Sequence, residues 1–75
     1  MTTLRELPAG SKAKVVTVHG EGAVSKRLME MGVIPGTEIR VIKSAPFGDP
    51  IQVRIFGYSL ALRKNEAASI EIAAS

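Results

Sequence analysis

The stretch RLMEMGVIPGTEIRV, Arg27–Val41, changes its hydrophobic period partway along, and its reading decides the fold. RLMEMG has the character of a helix end: Val24, Leu28 and Met31 recur at helical spacing, and Gly32 stands where a C-terminal cap belongs. TEIRV alternates Ile39 and Val41 against Glu38 and Arg40, the period of a strand with one buried face. Between them VIPG reverses the chain, with Pro35 fixing φ and Gly36 suited to a type II turn. The spacing predicts one helix over about Ala23–Met31 with a strand directly after it.

Outward from this span the chain reads as short strands. KAKVVTV, Lys12–Val18, is rich in Val and Thr and is ended by the glycines of HGEG. Ahead of it, Thr3 and Glu6 have capping-box spacing, which predicts a single helical turn with Leu4 and Leu7 directed into the core. After the loop APFGDP, Ile51, Val53 and Ile55 alternate with Gln52 and Arg54. GY is read as a hairpin connection, with Gly57 at the first position of a type II′ turn, and SLALRK returns with Leu60 and Leu62 inward. NEAAS is read as a turn, IEI as a last strand with Ile70 and Ile72 inward, and AAS as a tail. Five short strands with glycines at the corners, and one helix between the first two, point to a mainly β fold: a small closed barrel in a single domain, 1–75.

Composition narrows the function. With 75 residues, 45% of them apolar and 23% charged, the chain is an ordinary globular domain whose function must use few residues. It has no cysteine, which removes a disulfide framework, a thiolate zinc site, an iron–sulfur cluster and a Cys nucleophile together, and favours a reducing cytoplasm. MTTLRELPAG has no apolar signal region, and no apolar run approaches the roughly 20 residues of a membrane span. The expectation is a soluble, cytoplasmic protein that meets a membrane through a partner. The net charge is +3, and the ten basic residues are spread along the chain among apolar ones, as on solvated strand faces.

Chemistry is sparse. His19 is the single histidine and Asp49 the single aspartate. His19 and Glu21, in HGE, would make two weak metal ligands, fewer than an iron site requires, so no metal or cofactor is expected. Asp49, between Gly48 and Pro50, reads as a turn aspartate bonding its own backbone. GEGA ahead of the helix lacks the lysine and serine of a phosphate-binding loop, so no catalytic residue is assigned and nucleotide hydrolysis is not expected. The aromatics are Phe47, Phe56 and Tyr58, too few for the clustered rings of a nucleic-acid platform.

Three motifs carry a resemblance. RLMEMGVIPG, APFGDP and LALRKNEA, in that order and at these separations, with LPAG near the start and a final IEI, resemble the FeoA family across nearly the whole chain. These are small cytoplasmic accessory proteins of bacterial ferrous-iron transport. The resemblance implies an SH3-like barrel with a helical insert after the first strand. It also implies kinship with the C-terminal domain of metal-dependent repressors, and a partner: the membrane ferrous-iron transporter of the FeoB type, or its cytosolic GTPase domain. A nucleic-acid-binding SH3-like module and a weak metal-binding chaperone are the rival functions. The protein is expected as a monomer.

The contact residues are sought among apolar groups that a small core has no room for. Leu28 and Met31 belong to the buried stripe of the helix, whereas Met29 lies about 100° around from Leu28. Met29, Ile34 and Phe47 are therefore assigned to a partner-binding cleft beside the helix, where a methionine repacks readily against a partner segment.

Overall fold

The computed structural model describes residues 2–20 and 22–74. Its strands are β1 (Lys12–Val18), β2 (Glu38–Ser44), β3 (Ile51–Ile55), β4 (Tyr58–Leu62) and β5 (Ile70–Ala74). Helix α1 (Ala23–Glu30) joins β1 to β2, and helix α2 (Lys64–Ala68) joins β4 to β5. All neighbouring strands are antiparallel, in the order β4-β3-β2-β1-β5. The mainly β architecture with a helix between β1 and β2 is the one the alternation and the family resemblance imply.

The period-2 pattern becomes a core because each strand sends one face inward. Ala13 and Val15, Ile39 and Val41, Ile51, Val53 and Ile55, Leu62, Ile70 and Ile72 are all buried there. Leu28 and Val33 close the core from the α1 side, and Leu4 comes from the 3₁₀ turn Leu4–Glu6, where Thr3 N–H donates to Glu6 Oε1 at 3.4 Å. Leu7, Met31 and Leu60 are half-buried against this core. Two irregularities break the alternation, between Val15 and Thr17 against β5 and between Val41 and Lys43 against β3. They leave Val16 and Ile42 exposed.

Several expectations are corrected. Val24 is 42% exposed; the buried positions of α1 are Ser25 and Leu28, and Val24 lies instead on the side of the helix that lines an open cleft with α2. The hairpin connection is Phe56–Gly57, not Gly57–Tyr58, since Ile55 pairs with Tyr58. Both loop residues have positive φ, 51° and 85°, as in a type I′ turn. The first four residues of NEAAS lie in α2, with Ser69 as its C-cap, and the helix is started by Arg63, whose N–H donates to Glu66 Oε1 at 2.7 Å. The tail is partly strand, since β5 runs through Ala73 to Ala74 and pairs with β1. Asp49 reaches beyond its own turn: its Oδ1 accepts from Lys64 N–H, at the start of α2, at 3.1 Å.

Candidate functional site

The end of α1 is fixed by local chemistry. Met31 is the C-cap and Gly32 follows with φ of 100°, a conformation open to glycine at little cost. Gly32 N–H donates to Met29 C=O at 3.1 Å and Val33 N–H to Leu28 C=O at 3.0 Å, the two bonds of a Schellman motif. Leu28 and Val33, the residues such a motif brings together, are both fully buried. The chain therefore leaves the helix locked to the core, and Met29 and Ile34 flank the lock on its solvent side, each 43% exposed.

The tip of the β3–β4 hairpin closes on the same point. Tyr58 O–H donates to the Met31 carbonyl, one of the carbonyls the helix leaves without an internal partner. A Cβ placed on Gly32 would lie 3.2 Å from Phe56 Cε2 and 3.2 Å from Tyr58 Oη, so the two rings approach this glycine more closely than a side chain there ordinarily allows. Phe56 remains 70% exposed and holds a left-handed backbone that a bulky residue rarely adopts. Met29 and Ile34 neighbour Gly32 along the backbone and Phe56 and Tyr58 approach it across the fold; these four exposed residues are the apolar rim of Gly32.

Phe47 stands elsewhere. It follows the far end of β2, whose seven residues span on the order of 20 Å between it and Ile34. It is 96% exposed with φ of 71°. Of the three residues assigned from sequence, the fold brings Met29 and Ile34 to one end of the molecule and Phe47 to the other. Phe56 and Tyr58 were missed as site residues because their approach to Gly32 is a tertiary contact; the signal was present in FGY, an aromatic pair around a hairpin glycine.

A second cleft of about 250 Å³ lies between the helices, lined by Ala23, Val24, Arg27, Arg63, Asn65 and Glu66. The Arg27 guanidinium pairs with the buried Glu66 carboxylate, which also caps α2, so this ion pair holds α1 against α2. His19 Nε2 lies 2.7 Å from Glu71 Oε1 on β5; Glu21, its expected companion, lies outside the described residues. Among the described residues, no group of three or more His, Asp or Glu side chains is placed to hold a metal ion, and no helix is long and apolar enough to cross a membrane.

Comparison with known proteins sets this geometry in context. The family model described as the FeoA domain matches residues 2–74. The "Fe(2+) transport protein A/Fe(2+) transporter FeoB fusion protein" of Porphyromonas gingivalis is 44% identical over 69 residues, covering 92% of this chain and 8% of that much longer relative. A crystal structure of Stenotrophomonas maltophilia FeoA in complex with zinc, described as a prokaryotic SH3 domain protein, superposes with a TM-score of 0.87 at 34% identity, over 97% of this chain and 91% of that one. A manganese-dependent transcriptional repressor superposes with a TM-score of 0.89 at 18% identity, over 97% of this chain and 36% of the repressor, a likeness of fold alone.

Proposed function

The chain belongs to the FeoA family, and from that membership we propose that it is a non-enzymatic accessory protein of bacterial ferrous-iron uptake. It acts on the cytosolic side by binding the membrane ferrous-iron transporter through the transporter's GTPase domain. The observation that carries this reading is the fused Porphyromonas relative, in which a segment 44% identical to this chain shares one polypeptide with transporter FeoB. Fusion raises the effective concentration of two modules for one another, an arrangement that suits modules that must meet. In a separate chain the same encounter needs a surface, and the exposed rim holding Met29 and Ile34 supplies one, with Phe47 as a contact only for a partner that reaches the far end of β2.

The test is co-purification of the full chain with the transporter's cytosolic portion and, in parallel, with an RNA pool, each at two salt concentrations. Retention by the transporter portion and not by RNA is expected. Salt-sensitive retention by RNA without retention by the transporter portion would overturn the reading in favour of a nucleic-acid module. Anaerobic calorimetry with ferrous ion closes the remaining alternative: tight stoichiometric binding that is lost in His19→Ala would make the protein a metal carrier instead.

A further inference from the structure

Three cations cross the outward face of the sheet in register. Lys12 on β1 is opposite Arg40 on β2, and Arg40 is opposite Arg54 on β3. Neighbouring strands lie about 4.8 Å apart, so Arg40 has a like charge directly across from it on both sides, an arrangement that destabilises a sheet. The ion pairs among the described residues are Lys12–Glu38, His19–Glu71 and Arg27–Glu66, and none of them reaches Arg40 or Arg54. These two arginines line a groove of about 360 Å³ together with Glu38, Phe56 and Gly57. Glu38 Oε2 lies 3.8 Å from Lys12 Nζ, on the side of Lys12. Phe56 lines the groove with the cations, and its ring is the one that meets Gly32 in the apolar rim.

We propose that this groove seats an acidic segment of a protein partner, with its carboxylates on Arg40 and Arg54 and an apolar side chain against Phe56. The identity of that partner as the transporter rests on the function proposed above; the groove and its chemistry do not. Two guanidinium groups without carboxylates, side by side, match carboxylates in the paired fork geometry that makes such contacts strong. They also remove the like-charge penalty on binding, so the cost carried by the free sheet becomes part of the affinity. A protein segment suits the groove better than a nucleic acid does. A single-stranded nucleic acid needs several stacking rings along a continuous cationic track. Here one ring faces the groove, and Phe47 is at the far end of β2. The apolar continuation past Phe56 toward Met29 and Ile34 calls for a segment that mixes acidic and apolar residues.

The experiment uses the isotope-labelled full chain and a synthetic peptide in which Glu alternates with Leu and Phe, beside the same peptide with Gln for Glu. The Glu peptide is expected to shift the amide signals of Arg40, Arg54 and Phe56, and the Gln peptide to leave them in place. Arg40→Glu/Arg54→Glu should weaken the Glu peptide by roughly tenfold or more, flatten its salt dependence, and keep the melting temperature of the parent. Shifts centred elsewhere, equal response to both peptides, or undiminished binding by the double variant would overturn the proposal. Tighter binding of a single-stranded DNA oligonucleotide in the same groove would do so as well. The transporter's cytosolic portion is titrated last. If it fails to bind the parent chain while the Glu peptide maps to Arg40, Arg54 and Phe56, the groove stands and the transporter reading falls. If it binds parent and double variant alike, the groove falls and the transporter reading stands.

Discussion

The two ends of β2 each hold a phenylalanine at positive φ, and they hold it differently. At one end Phe56, with φ of 51°, meets Gly32 and stands beside Tyr58, whose hydroxyl fastens the end of α1. At the other end Phe47, with φ of 71°, is 96% exposed in the turn Pro46–Gly48. A left-handed backbone costs a bulky residue of order 1–3 kcal/mol and persists where the surroundings over-determine it. At the Phe56 end those surroundings are visible: a hairpin of fixed register, a glycine and a helix terminus. At the Phe47 end the short loop between paired strands imposes the turn, and the ring itself meets solvent. The first end is tied by side chains and the second by backbone alone, so substitutions should separate them.

The largest effect is expected where the tied end meets the core. Leu28 is fully buried and lies in the Schellman exit of α1, so Leu28→Ala should lower stability by about 2–5 kcal/mol, a large share of what a domain of this size possesses. Thermal denaturation measures it. A loss below about 1 kcal/mol would mean that α1 is a loosely attached decoration and that the tied end is not tied. Gly32→Ala comes next. The added Cβ lies 3.2 Å from Phe56 Cε2 and from Tyr58 Oη, on a backbone with φ of 100°. The loss should exceed about 1 kcal/mol, because an alanine is strained there whatever the rings do. Tyr58→Phe removes one hydrogen bond to Met31 C=O and should cost about 0.5–1.5 kcal/mol. Amide hydrogen exchange should then rise first in the last turn of α1; unchanged protection there would detach Tyr58 from the helix end.

How much of this was legible depended on whether the cause was local. Ile51, Val53 and Ile55 announced β3 because one buried face produces a period of two, and Gly32 announced the end of α1 because positive φ selects glycine. Val24 misled at the same spacing, since in the first turn of α1 the buried position is taken by Ser25 and Val24 falls on the side of the cleft with α2. Helix α2 was hidden because its support is remote: Asp49, fifteen residues earlier, accepts from Lys64 N–H, and Arg27 of α1 neutralises Glu66. Of the candidate surface, Met29 and Ile34 were readable as apolar residues outside the stripe. Phe56 joined them through a register shift: placing the turn at Gly57–Tyr58 left the ring within a strand, whereas the Ile55–Tyr58 pair puts it at the tip. The cationic row of Lys12, Arg40 and Arg54 is a product of strand register and has no trace in a sequence where basic residues look evenly dispersed.

The smallest stability effects are expected at the two exposed positions, and there the readout is affinity. Met29→Glu should change stability by no more than about 0.5 kcal/mol, since the side chain faces solvent beside the core residue Leu28. It should weaken binding of the transporter's cytosolic portion, because a carboxylate would then stand in the apolar rim and repel an acidic segment. Melting as low as Leu28→Ala would place Met29 in the core and remove it from the rim. Phe47→Asn is the counterpart at the far end of β2. Asparagine tolerates the left-handed backbone that Phe47 holds at φ of 71°, and the exposed ring has little burial to lose, so stability should stay the same or rise by up to about 1 kcal/mol. If affinity also stays the same while Met29→Glu loses it, the contact belongs to the tied end alone. If Phe47→Asn lowers affinity and Met29→Glu does not, the order reverses: the ring held by backbone alone is the one that meets the partner, and the tie around Gly32 serves the fold.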